Sequence, residues 1–178
     1  KAAEAGGPEG MVNVGYAYEF GKGVGKDEAE ALRWYRKAAD AGSANGMNYI
    51  GGMYANGIGI GKDEAEALRW YRKAAEAGNA NGMNAIGVMY QTGQGVSKDE
   101  AEALRWYRKA AEAGSANGMF NLGLTYQYGK GIAKDEAEAL RWYRKAAEAG
   151  SANGMFNLGL AYQYGNGVGK DEAEALRW

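Results

Sequence analysis

Cysteine and histidine are both missing from this 178-residue chain. Their absence excludes thiol nucleophiles, disulfides, imidazole bases and the usual zinc ligands, and leaves the redox compartment unread. Proline occurs once, at Pro8. No apolar run approaches the length of a membrane span, and the opening KAAEAGG has no signal-peptide layout, so no membrane partner is expected. Neither sign of charge prevails: 21 Lys and Arg stand against 22 Asp and Glu, for a net charge of -1, with no block of like charge. A polyanion such as nucleic acid is a poor match to such a surface and is not expected as a partner.

Glycine, by contrast, is abundant, at 30 residues, and it recurs in phase at Gly57 and Gly59, Gly93 and Gly95, Gly129 and Gly131. Phased glycine is turn chemistry. The tryptophans keep the same beat. Trp34, Trp70, Trp106, Trp142 and Trp178 each follow the last by 36 residues, always inside the string ALRW. The chain is therefore one helical hairpin copied almost letter for letter, and burial is expected between neighbouring copies. The predicted fold is all-α: a right-handed superhelical α-solenoid of five helix-turn-helix repeats, forming a single array over residues 1–178. Repeats start near residues 7, 43, 79, 115 and 151, residues 1–6 are the tail of a preceding helix B, and the last repeat is cut at 178.

One copy, Ser43 to Gly78, can be segmented from its cap chemistry. Asp63 precedes an alanine-rich run and Glu66 follows three residues later, which predicts an N-cap and capping box with helix B starting near Glu64. Acidic residues gather at that start and Arg69, Arg72 and Lys73 lie in the second half, complementing the helix dipole. Glu66 with Arg69, and Lys73 with Glu76, are predicted surface pairs on a solvated face. Gly78 offers a left-handed stop, and Ser43 or Asn79 the next N-cap. Pro8 marks a helix start, and its counterparts place helix A near Ala44, Ala80, Ala116 and Ala152, running in this copy to about Asn56. The segment Gly57-Ile58-Gly59 then turns the chain, and the β-branched residue that follows (Val24, Ile60, Val96, Ile132 or Val168) is expected to plug the hairpin's end. On helix A the predicted buried stripe is Met47, Ile50, Gly51 and Tyr54; on helix B it is Leu68, Tyr71, Ala74 and Ala75. Gly51 and its counterparts Gly15, Gly87, Gly123 and Gly159 each cost about 1 kcal/mol relative to alanine inside a helix, which calls for close approach by a neighbour, under a Tyr or Trp ring.

These strings, IGVMYQTGQGV at 86 to 96 and LGLAYQYGNGV at 158 to 168 with KDEAEALRWYRKAAEAG at 98 to 114, resemble the Sel1-like repeat family, relatives of the tetratricopeptide repeats. The plainer tetratricopeptide repeat has roughly 34 residues and lacks the glycine-flanked turn. Gly46 and its equivalents stand where the family usually has alanine, and Gly61, Ser97 or Ala133 where it often has proline; both exchanges are expected to loosen the unfolded chain and leave the fold intact. The resemblance implies an adaptor scaffold that gathers other proteins, with helix A lining a concave groove.

Comparison between copies locates a candidate binding face. Helix B is virtually invariant, whereas helix A varies at five positions that lie off the apolar stripe. From these the candidate partner-binding residues are Tyr16, Phe20, Asn48, Tyr49, Asn84, Gln91, Phe120, Asn121, Gln127, Tyr128, Phe156, Asn157, Gln163 and Tyr164, with Phe120, Tyr128, Phe156 and Tyr164 as anchors. Rigid rings beside adaptable amides suit a protein or peptide ligand. The competing expectation is a structural or designed array with no dedicated partner, its aromatics packing onto adjacent hairpins.

No catalytic, cofactor or metal site is expected. Gly21-Lys22-Gly23-Val24-Gly25-Lys26 lacks the spacing of a phosphate loop, and Asp27 stands where that loop carries a hydroxyl. Asp27, Glu28 and Glu30 lack the alternating ligands of a calcium loop. Ser43, Ser97, Ser115 and Ser151 fall at caps or turns with no imidazole to activate them. The uncapped ends lead to the expectation of an excerpt from a longer array, able to join head to tail with itself.

Overall fold

The computed structural model describes residues 6–178; the helix B tail expected at residues 1–6 lies, apart from Gly6, outside the described residues. Every regular element among the described residues is α-helical. In chain order they are α1 (Gly7–Phe20), α2 (Glu28–Asp40), α3 (Ala44–Asn56), α4 (Glu64–Glu76), α5 (Ala80–Thr92), α6 (Glu100–Glu112), α7 (Ala116–Tyr128), α8 (Glu136–Glu148), α9 (Ala152–Tyr164) and α10 (Glu172–Arg177). Odd-numbered helices are the A helices of the repeat and even-numbered ones the B helices. Contacts divide the chain into two units, Lys1–Gly82 with Gln94–Ser97, and Met83–Gly93 with Lys98–Trp178.

Cap chemistry sets the helix bounds. Asp63 Oδ1 accepts from the Glu66 N–H at 2.9 Å, and Ser43 Oγ from the Gly46 N–H at 3.1 Å. The reciprocal half of the capping box does not form. The Asp63 N–H is already taken by the Tyr54 carbonyl at 3.0 Å, a bond that closes the hairpin, and the Glu66 carboxylate turns to Arg69 at 3.2 Å. At the other end Gly78 adopts φ +86°, and Asn79 and Gly78 donate to the Ala74 and Ala75 carbonyls, a Schellman closure. Lys73 lies 4.1 Å over the Trp70 ring rather than beside Glu76.

Between A and B helices, Gly57 and Gly59 both take positive φ, +70° and +65°, as the turn demands. A Cβ on Gly59 would stand 2.7 Å from the Glu28 carbonyl, so the turn of one hairpin lies against the start of the preceding helix B. Glu28 Oε2 accepts from the Gly59 N–H at 3.1 Å, and its other oxygen pairs with Lys26 at 2.7 Å. Glu64 repeats this with Gly95 and Lys62. The solvated-face reading of these charges is thus incomplete: this carboxylate joins two hairpins. Ile60 packs against the unit-1 core and Ile132 and Val168 against unit-2 clusters, but Val24 is 41% exposed, with no earlier hairpin among the described residues beneath its turn.

In the first unit α2 is sandwiched between α1 and α3, with Val12, Leu32, Tyr35, Ile50 and Met53 buried together. In the second, Leu104, Tyr107 and Leu122 form one cluster and Tyr143, Leu158 and Tyr162 another. The helix B stripe is buried as expected, with Ala67 added to it. On α3 the stripe rotates: Met53 is buried, while Met47 and Tyr54 are half-buried. The reason is the glycine. A Cβ on Gly51 would lie 2.6 Å from Tyr71 Cδ1, and Gly15, Gly87 and Gly123 meet Tyr35, Tyr107 and Tyr143 in the same way. The B helix approaches over the glycine and brings residue 53 into the contact. Gly46 has a packing role too, since its Cβ would fall 2.9 Å from Ala38 Cβ; the alanine usual in the family would crowd this site.

Candidate functional site

The structure sorts the variable positions of helix A into three kinds. Some serve the buried tyrosines. Tyr107 donates to Gln91 Oε1 at 2.7 Å and Tyr143 to Gln127 Oε1 at 2.5 Å. Tyr35 donates to the equivalent Glu19 at 2.6 Å. Burial raises the ionisation of Tyr107 and Tyr143 well above the ordinary phenol value, so these hydroxyls stay protonated and act as donors. Gln91 and Gln127 are therefore half-buried, with one side of each amide fixed, and are not freely exposed as the sequence pattern suggests.

A second group packs within the face. In unit 1, Tyr49 stacks on Tyr35 with centroids 4.8 Å apart and planes 6° from parallel, and Tyr16 meets Tyr49 edge-on at 6.4 Å and Phe20 at 4.5 Å. Lys22 sits over the Tyr16 ring at 4.8 Å. Asn48 is half-buried on the same helix as Tyr49. In unit 2, Phe120 is half-buried against Tyr143 at 5.9 Å, which makes it a weaker anchor than its sequence position implies. Asn121 donates to Asn84 Oδ1 at 2.8 Å, tying α7 to α5.

Among the described residues the third group makes no contact that joins hairpins, although Lys130 lies 5.7 Å from the Tyr128 ring centroid. Tyr128, Phe156 and Tyr164 are 63%, 64% and 67% exposed, and Gln163 is exposed beside them. Asn157 bends back to the Asn153 carbonyl on its own helix at 2.9 Å. Asn157 holds the place that Tyr49 holds in the second hairpin. Where Tyr49 covers its tyrosine, the shorter Asn157 leaves a cavity of about 90 Å³, lined by Gln127, Tyr143, Asn157, Leu160 and Tyr164 and opening to solvent. Leu160 and Glu136 also line it and were not among the sequence candidates; Leu160 does belong to the variable set, but Glu136 sits on the invariant helix B, where comparison of copies carries no signal. Among the described residues no group of three or more Asp or Glu converges as a metal site, and no helix is long and apolar enough to cross a membrane.

The Sel1 repeat profile matches residues 8–43, 44–79, 80–115, 116–151 and 152–178. The chain belongs to the Sel1 repeat family. It is similar to a Sel1 repeat protein from Oxalobacter formigenes, at 41% identity and a TM-score of 0.88, over 96% of this chain and 70% of that one. It also resembles c5321, a protective antigen of uropathogenic Escherichia coli with the same repeat fold, at 38% identity and TM-score 0.81, over 97% of this chain but 37% of that longer one. An immunity protein of Pseudomonas aeruginosa, Pa5087, shares the fold at 24% identity and TM-score 0.70, over 98% of this chain and 63% of that one. No curated protein matches the chain. The all-helical repeat-solenoid fold is thereby established, and it is generally a protein-interaction scaffold, typically without catalysis.

Proposed function

We propose that this Sel1 repeat chain is a non-catalytic scaffold that binds a protein or peptide on the face formed by its A helices, with the second unit carrying the stronger site. The observation that supports this most is the company kept by Tyr128, Phe156 and Tyr164. Three large rings stand mostly in solvent beside half-buried amides and next to an open cavity. Large rings with few rotatable bonds, set beside polar groups, lose little entropy on binding and desolvate well, the usual character of interface hot spots.

A purely structural array is the second reading, and the roles of Gln91, Gln127 and Phe120 in hairpin packing favour it at those positions. The two readings part at the exposed rings. The chain and its Tyr128→Ala/Phe156→Ala variant, immobilised side by side, are used to capture proteins from a lysate, with circular dichroism of both. The proposal expects specific captured proteins to be lost from the variant while its helical signal and melting stay unchanged. Equal capture by both chains would favour the structural reading.

A further inference from the structure

Gln91 and Gln127 each use only half of their side-chain amide. The carbonyl oxygen accepts from a buried tyrosine; the NH2 group donates to nothing among the described residues. That the oxygen faces the tyrosine is corroborated within the chain itself, because the first copy has Glu19 at this place, and a carboxylate can only accept. With Oε1 held inward, the NH2 is left for the open side, and Gln127 lines the cavity beside Tyr143 and Tyr164. The two donors recur one repeat apart, on α5 and α7.

The surroundings define what they would meet. Helices α5, α7 and α9 contain no Asp, Glu, Lys or Arg. The carboxylate at the cavity's rim, Glu136, is already paired with Lys134 at 2.6 Å. Just past the end of α7, Lys130 lies 5.7 Å from the centroid of the Tyr128 ring, so its charge is engaged there; a charged ligand finds no partner on the helices themselves and would lose part of its hydration. An uncharged chain loses less: two of its carbonyls meet the amide donors and its apolar side chains meet the cavity and the exposed rings.

We infer that the second unit recognises an extended, uncharged peptide segment rich in apolar side chains, with Gln91 and Gln127, held by Tyr107 and Tyr143, donating to its main-chain carbonyls. This rests on the A-helix reading above and gives it a ligand class. It also gives the glutamine-tyrosine pairs a purpose beyond packing, since packing alone tolerates Glu19 or Ala55 at the same position.

That tolerance supplies the test. A phage-displayed library of random linear peptides is selected on the whole chain, and the enriched peptide, synthesised with blocked ends, is titrated calorimetrically into wild type and into Gln127→Glu, Gln127→Ala and Phe156→Ala, each also melted. Glu keeps the Tyr143 bond but carries no donor; Ala carries neither donor nor charge. The expected results are enriched sequences poor in charged residues, affinity nearly independent of salt, and about tenfold weaker binding by both Gln127 variants with Gln127→Glu melting as wild type. If Phe156→Ala weakens binding but both Gln127 variants bind as wild type, the amide inference falls and the A-helix site stands. If only Gln127→Glu weakens it, charge exclusion and not donation is at work, and the inference falls likewise. Highly charged enriched peptides with steep salt dependence overturn the ligand class. No enriched peptide overturns the peptide inference and leaves the A-helix reading to the protein-capture comparison; binding indifferent to Phe156→Ala as well overturns both readings.

Discussion

The contact between a helix A glycine and a helix B tyrosine recurs through the chain and determines much of what surrounds it. At Gly123 a methyl group would fall 2.6 Å from Tyr143 Cε1. Alanine would gain about 1 kcal/mol of helix propensity but force the ring or the helix aside, and overpacking costs typically about 1–3 kcal/mol. We expect Gly123→Ala to be a net destabilisation measurable as a lower urea midpoint, where propensity alone would raise it. The tyrosines leave a second signature. Burial raises Tyr107 and Tyr143, while the unfolded chain titrates near the ordinary 10.0. A raised folded value contributes stability that is intact below pH 10 and lost as pH climbs beyond it, so unfolding should accompany tyrosinate absorbance in alkaline titration. A Tyr107→Phe/Tyr143→Phe chain should lose less stability over that range. The need for a ring over the glycine was legible from the sequence, because a mid-helix glycine demands compensation. That the ring's hydroxyl would recruit Gln91 and Gln127 was not, since those residues are 16 positions away and the bond depends on how the helices cross.

At the scale of the helix and its ends, boundaries followed from local chemistry and were nearly all readable: Asp, Ser or Asn at the N-caps, glycine past the C-caps, and two positive-φ glycines in the turn. The reciprocal half of the capping box is the exception, because spacing does not show that the cap's own N–H is needed to close the hairpin on Tyr54. Asp99→Ala should accordingly remove the bond to the Glu102 N–H and cost about 1 kcal/mol, read by thermal melting. Hairpins are also joined by Arg108 donating to Tyr126 at 3.2 Å, and by the Glu64 carboxylate accepting from Gly95. The bond and charge of Lys62 hold Glu64 below its ordinary 4.5. A lowered folded value means this link is intact above pH 4.5 and weakens as pH falls beneath it. Glu64→Gln should flatten the loss of stability in that acid window, and an unchanged acid profile would show the link to be inert.

For the molecule as a whole, each unit is a set of hairpins that bury their apolar faces on one another, so stability is spread along the sequence and function falls to the surface left over. Leu104, 6% exposed between α6 and its neighbours, should cost about 2–5 kcal/mol when cut to alanine, and hydrogen exchange should show α6 and α7 loosening together. The family and its repeats were legible because the same constraints are printed in every copy. The proposed binding face was legible only in outline: variation between copies marks positions that packing does not fix, but cannot separate Tyr128, Phe156 and Tyr164, which face solvent, from Gln91, Gln127 and Phe120, which the hairpins also use. Side-chain footprinting by carbene labelling, with and without the peptide enriched on this chain, tests the account most directly. It predicts protection of Tyr128, Phe156 and Tyr164 with no change at Trp34, Trp70, Trp106 and Trp142 on the B helices. Protection of those tryptophans with the three A-helix rings still labelled would contradict it.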